Sequence, residues 1–171
     1  MFRAEQTAHG GALAQPCAEV YAATVRRGAP ADLDALVALE RHFPGDRLSR
    51  QSFRRLLHSA SAEVRVYEEA GQVTGNAVLL CRTHSTQARL YSLVVHPQHQ
   101  GRGIARALLE SLEQATIARG CNRLGLEVRT DNAPALRLYQ KAGFQLIRQI
   151  TDYYEDHAPA LRLEKLIAST M

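Results

Sequence analysis

Apolar and polar positions change period along this chain, and the change is sharpest across residues 90–120. Leu90, Tyr91, Ser92, Leu93, Val94 and Val95 make a β-rich run that stops at Pro97 and crosses Gly101 and Gly103. It resumes as Ile104, Leu108, Leu112 and Ala115, which fall on one stripe of a helix, with Gly120 suited to the left-handed position after its end. The pattern predicts strand, tight loop and helix.

Upstream, residues 20–27 read as a first strand, ended by Gly28, Ala29 and Pro30. Asp32 stands where it would cap a helix carrying Leu33, Leu36, Val37 and Leu39, and Ser49 where it would cap one carrying Phe53, Leu56 and Leu57. Residues 63–68 alternate Val64 and Val66 with charged neighbours, and Ala70-Gly71 makes a hairpin turn into residues 73–82. A turn at residues 83–86 leads into strand 88–95, so three consecutive antiparallel strands deliver the chain to the glycine loop.

Downstream, Leu124, Leu126 and Val128 share one face of a strand while Arg123, Gly125 and Glu127 share the other. Asn132 opens a helix with Pro134 in its first turn, the stripe Ala135, Leu138, Tyr139 and Ala142, and Gly143 closing it. Residues 144–151 and 161–167 read as two last strands. The fold class is α/β: a mixed, mostly antiparallel twisted sheet of about seven strands with helices on both faces.

Composition narrows the function classes. With 171 residues and 46% apolar content the chain fits one domain at residues 20–171, with residues 1–19 as a flexible tail. A net charge of +4 and a pI near 9.2 suit an anionic ligand, but no basic block with interleaved aromatics points to nucleic acid. Cys17, Cys81 and Cys121 are odd in number and scattered, which suits a reducing cytoplasm and neither a disulfide frame nor a metal site. No run has the length of a membrane span.

The glycine loop carries the chemistry. Backbone N–H groups exposed by Gly101 and Gly103, with the positive end of the following helix dipole, favour a phosphorylated ligand. The Lys-Ser/Thr pair of a nucleoside-triphosphate loop is missing, and Arg106 stands where a dinucleotide fingerprint would have its third glycine.

Gln100-Gly101-Arg102-Gly103-Ile104-Ala105, following Val94-Val95-His96-Pro97, resembles the Gln/Arg-x-x-Gly-x-Gly/Ala signature of the GNAT superfamily of acyl-CoA-dependent N-acyltransferases. Leu126-Glu127-Val128-Arg129, Asn132, Leu138-Tyr139, Gly143-Phe144 and Tyr153-Tyr154-Glu155-Asp156 resemble its ribosomal-protein alanine N-acetyltransferase branch. The likeness covers residues 90–166 by motif and 25–89 by element order. His157 departs from it, standing where that branch usually has glycine.

The resemblance implies acetyl transfer from acetyl-CoA, as cosubstrate and without a metal, to a primary amine by direct attack. The favoured acceptor is a protein or peptide N-terminal α-amine. A small-molecule amine is the alternative, and a non-catalytic acyl-CoA sensor a further one. It implies that the sheet splays between the strand ending at Val95 and the strand carrying Glu127, opening a slot.

By resemblance, the backbone of Gln100, Gly101, Arg102, Gly103, Ile104 and Ala105 holds the pyrophosphate, with Arg102 adding charge. The backbone of Leu93, Val94 and Val95 binds the pantetheine arm and Asn132 hydrogen-bonds beside it. Tyr139 is the acid for the leaving thiolate and Glu127 the base, directly or through water. Tyr91, Tyr153 and Tyr154 border the acceptor. Plain alternatives stand beside these: Asn132 as a helix cap, Tyr139 as core, Glu127 in an ion pair with Arg123 or Arg129, and Tyr153 and Tyr154 as packed residues of a surface hairpin.

Overall fold

A computed structural model describes residues 22–43 and 47–167 of the chain. The expected tail of residues 1–19, the start of the expected first strand, and Pro44, Gly45 and Asp46 lie outside the described residues.

Among the described residues seven strands form one sheet: β1 (Thr24–Arg27), β2 (Ala62–Glu69), β3 (Gln72–Cys81), β4 (Gln87–Val95), β5 (Arg123–Arg129), β6 (Gln145–Ile150) and β7 (Ala160–Leu166). Their spatial order is β1-β2-β3-β4-β5-β7-β6, antiparallel except for β4 beside β5. The last two strands begin and end within a residue of the expected ones. The β2–β3 turn uses Ala70 and Gly71 at φ of 51° and 74°, a two-residue left-handed turn that matches the twist of the flanking strands.

α3 (Ile104–Ala118) lies on one face with its predicted stripe of Ile104, Leu108, Leu112 and Ala115 buried. It approaches β3 closely: a Cβ built on Gly75 would stand 3.0 Å from both Ile104 Cγ2 and Leu108 Cδ1. α4 (Ala133–Lys141) joins the same core through Ala135, Leu138 and Tyr139. On the opposite face α1 (Leu33–Glu40) and α2 (Arg50–His58) bury Leu36 and Phe53 against Val64, Val66 and Val78. Each such side chain contributes about 1.5–3 kcal/mol. No helix among the described residues is long and apolar enough to cross a membrane.

Ser49 caps α2 as expected, accepting the Ser52 N–H at 3.1 Å. Asp32 departs from expectation and does not cap α1. It ends a 3-10 turn (Pro30–Asp32) and reaches back to the Ala29 N–H at 2.7 Å and to both Nη atoms of Arg26 at 2.8 Å. A bidentate, charge-assisted fork is stronger than one backbone cap, which is why the carboxylate turns away from the helix.

The splay is present and has a visible cause. β4 and β5 are paired only from Gln87↔Arg123 to Arg89↔Gly125. The β3–β4 register passes from Val78↔Ser92 to Leu79↔Leu90, leaving Tyr91 as an extra residue, and such a bulge bends a strand and raises its twist. Beyond it, the edge of β4 that faces β5 has no strand partner among the described residues.

Candidate active site

At the end of β4 a 3-10 turn (Pro97–His99) leads into Gly101 and Gly103, at φ of 76° and 80°. Glycine is the residue that adopts this left-handed region freely. The Ala107 N–H bonds Gly103 O at 3.0 Å, while the N–H groups of Ile104, Ala105 and Arg106 meet no acceptor among the described residues. A Cβ on Gly101 or Gly103 would have nothing within 4 Å, so the loop opens onto space. Gln100 Nε2 donates to Val95 O at 3.2 Å and ties the loop to the strand. Free donors at the positive end of a fifteen-residue helix fit a pyrophosphate.

The Arg102 side chain is not part of that cradle wall. Its Nη2 donates to Glu69 Oε1 at 2.6 Å and its Nη1 lies 2.9 Å from His99 Nδ1. Arg102 holds the Glu69 carboxyl below its ordinary range, so its charge is already engaged. Arg106 does border the opening, with its Nε on Glu110 at 2.8 Å.

From the loop a cleft of about 690 Å³ runs between β4 and α4, bordered by Leu93, Val94, Val95, Gln100, Gly101, Gly103, Ile104, Ala105, Asn132 and Tyr139. Asn132 Oδ1 caps α4 by accepting the Ala135 N–H at 3.2 Å, and the residue also faces the cleft. Tyr139 is 6% exposed and its ring stands edge-on to Phe144 at 5.6 Å. Burial, helped by Tyr154, pushes its phenol above the ordinary value, so it stays protonated. It is thus a core residue whose neutral phenol also borders the cleft.

A second cavity of about 730 Å³ lies on the α1 side of the sheet, bordered by Tyr91, Ser92, Glu127, Tyr153 and Tyr154, with Arg47, Leu48, Arg89 and Glu155. Ser92 borders both spaces. The Glu127 side chain is 10% exposed and is bonded by Arg89 Nε at 2.8 Å on Oε2 and by Arg162 Nη1 on Oε1. Its ion-pair partners are therefore these two, not Arg123 or Arg129.

The reason is register: Arg162 stands directly across from Glu127 in the β5–β7 pair, and Arg89 enters from the last paired row of β4. Arg129 instead binds Asp131 and Asp156 and lies 5.0 Å over the Tyr154 ring. Arg89 Nη2 also donates to the Tyr153 hydroxyl at 3.0 Å, and the Tyr153 and Tyr154 rings pack edge to face at 5.0 Å.

His157 bonds Asp152 and has a φ of 64°, a left-handed position that suits the glycine of the resembled branch. Cys121 is buried with its thiol 3.4 Å from Ser85 O, and burial pushes the Cys81 thiol up to about 11; neither borders the cleft or the second cavity. The residues missed from the sequence are Arg89 and Arg162. Alternation already put Arg162 on the polar face of β7 with Glu164, which was the available signal.

A splayed sheet, a loop of free N–H donors at one end of the slot and a carboxylate cavity at the other leave room for an extended phosphorylated carrier. The chain belongs to the acetyltransferase (GNAT) family, whose sequence model matches residues 33–144. It is 42% identical over 81 residues to an acetyltransferase of Sodalis glossinidius, a match that spans 47% of this chain and 56% of that protein. Among solved structures it resembles the ribosomal-protein alanine N-acetyltransferase of Escherichia coli, at a TM-score of 0.78 and 26% identity over 88% of this chain and 97% of that one. It resembles Ard1 from Thermoplasma volcanium at a TM-score of 0.78 and 25% identity, over 86% and 99%.

Proposed function

We propose that the protein transfers the acetyl group of acetyl-CoA to a primary amine by direct attack, the acceptor being the α-amine of a peptide or protein N-terminus. The observation that carries this is the meeting of two spaces at Ser92, one leading to the phosphate cradle and the other holding Glu127. Acetyl-CoA supplies the activated acetyl group. The N–H groups of the loop from Gln100 to Ala105 hold its pyrophosphate, and the unpartnered edge of β4 at Leu93, Val94 and Val95 takes the pantetheine amides as an added strand would.

Asn132 lines the arm. Tyr139 gives its proton to the departing sulfur, and Glu127 uses the lone pairs left by its two arginines to accept from the amine or from an intervening water. Positioning supplies much of the rate, since well-oriented reactants can save about 7–11 kcal/mol. The tyrosine pair at the rim and the peptide acceptor in the name of the Escherichia coli relative support an N-terminal amine. The cavity of about 730 Å³ is also of small-molecule size, which favours a small amine as the second reading.

The test is release of free CoA from acetyl-CoA with a panel of peptides of varied first residue and a matched panel of small amines. Peptide-dependent release, cut at least about tenfold by Tyr139→Phe, is the expected result. Release with small amines alone would replace the peptide acceptor; saturable CoA binding without release from either panel would make the protein a sensor.

A further inference from the structure

The cleft wall holds one carboxylate that neither the phosphate cradle nor the Glu127 cluster accounts for. Glu40, the last residue of α1, is 4% exposed and borders the cleft with Phe43, Ser92 and Val94. Its Oε2 accepts the Leu48 N–H at 3.1 Å, and its Oε1 has no hydrogen-bond partner among the described residues. On β3, Asn76 is fully buried with its side chain beside the Glu40 carboxylate, and its amide atoms make no well-formed hydrogen bond among the described residues.

These groups converge. Gly75 faces α3, so Asn76 faces α1, on the side where Val78 packs. The register sets Asn76 beside Val94 and Val78 beside Ser92, which puts this polar floor under the part of β4 where the two spaces meet. An unsatisfied buried polar group costs about 1–3 kcal/mol, so a free carboxylate oxygen on the cleft wall, beside a buried amide, marks a place for water or for a polar group of the substrate.

We propose that Glu40 is a second working carboxylate of this site, and that a water held on its free Oε1 beside Asn76 relays to it the proton shed by the acceptor ammonium. This rests on the acetyl-transfer reading. The N–H bond of the ammonium breaks and its electron pair becomes the lone pair that attacks the acetyl carbonyl. The proton passes to the water, which gives one of its own to Oε1; the resulting acid returns it to solvent when the cleft empties.

The surroundings suit the role. Burial raises the Glu40 pKa, opposed by the Leu48 N–H, by nearby Asn76 and by the Arg47 charge. The other charged or titratable groups about α1 are engaged elsewhere: Asp32 with Arg26, Asp34 with Arg50 of α2, and His42 stacked on His96 after β4. His99, Arg106 and Tyr139 border the same cleft. Glu127 has a guanidinium on each oxygen and keeps only its remaining lone pairs for the acceptor.

The test compares pH profiles of kcat and kcat/KM for the wild type, Glu40→Gln, Asn76→Ala and Glu127→Gln with the best acceptor. Gln at position 40 still accepts from Leu48. The expected result is a kcat at least about tenfold lower in Glu40→Gln with an unchanged KM for acetyl-CoA, loss of the acid limb of the profile, and recovery towards high pH, where the amine deprotonates by itself. Asn76→Ala should move in the same direction. Wild-type turnover with an unaltered Glu40→Gln profile, whether or not kcat falls, overturns the Glu40 role alone; no acceptor-dependent release by the wild type overturns the transfer reading with it.

Discussion

Glu127 and Arg162 face one another across the antiparallel β5–β7 register, joined by a carboxylate–guanidinium bond, and Gly125 leaves the room in which the guanidinium lies. Arg89 closes the other side of the carboxylate and reaches on to Tyr153. One carboxylate thereby fixes two arginines and, through one of them, a tyrosine at the rim of the second cavity. Under the proposed function, positioning of the acceptor depends on the whole row.

Gly125→Ala tests that dependence without touching the carboxylate. The added Cβ would stand 2.5 Å from Arg162 Nη2 and 2.9 Å from Cζ, so the flexible end of the arginine must move and release Glu127. The expected variant folds, with stability changed by no more than about 1–2 kcal/mol, and loses roughly ten- to a hundredfold in kcat/KM. Thermal melting beside the CoA-release assay checks both; full activity would show that Arg162 is free to leave.

Tyr139 gives a prediction in alkali. Its folded pKa is raised by burial above the value of 10.0 for a free phenol, so the phenol remains neutral in the fold after it has begun to ionise in the unfolded chain. The unfolded state then binds fewer protons, and stability falls as pH rises above about 10. Urea titrations at about pH 8 and about pH 11 should show a smaller alkaline loss for Tyr139→Phe than for the wild type. An equal loss in both would mean that the phenol titrates as if it were exposed.

The sequence makes the stripe of α3, the glycine loop and the two faces of β5 readable because each is a local period or a turn requirement. Other features needed contacts between distant residues. The bulge at Tyr91 lies inside an unbroken β-rich run, and only the partner strand shows that it is extra. The pairing of Arg89 with Glu127 needs the register of the one parallel pair, while Arg102 is turned aside by Glu69, thirty-three positions earlier. Glu40 did leave a trace, a carboxylate three and four residues after Val37 and Leu36 on an apolar stripe, which makes it part of a buried face.

Asp32 predicts the acid side of stability. Arg26, then the Ala29 N–H, hold its carboxyl below the usual range against the cost of burial. A depressed folded pKa contributes stability above the unfolded value of 3.8 that is lost as pH falls through the folded one. With Arg26 more than a third exposed, Asp32→Asn should cost about 1–2 kcal/mol at neutral pH, a difference that closes as pH falls through the depressed folded pKa. Denaturant titration of both proteins across that range checks it; a gap that persists in acid would assign the loss to packing.

Gly103→Ala separates the cradle from the rest of the cleft. At a φ of 80° an alanine is strained by about 1–2 kcal/mol, and relaxing that strain turns the loop N–H groups away from the phosphate they serve. Nothing stands within 4 Å of the new methyl, so loss of binding would come from the backbone and not from a clash with the protein. CoA affinity by calorimetry should fall about tenfold or more. Turnover of acetyl-pantetheine, which carries the thioester and the amide arm without the pyrophosphate, should fall by less than about twofold. If both fall together, the loop shapes the slot as a whole; if neither falls, the pyrophosphate is held elsewhere, with Arg106 at the cleft opening the first residue to replace.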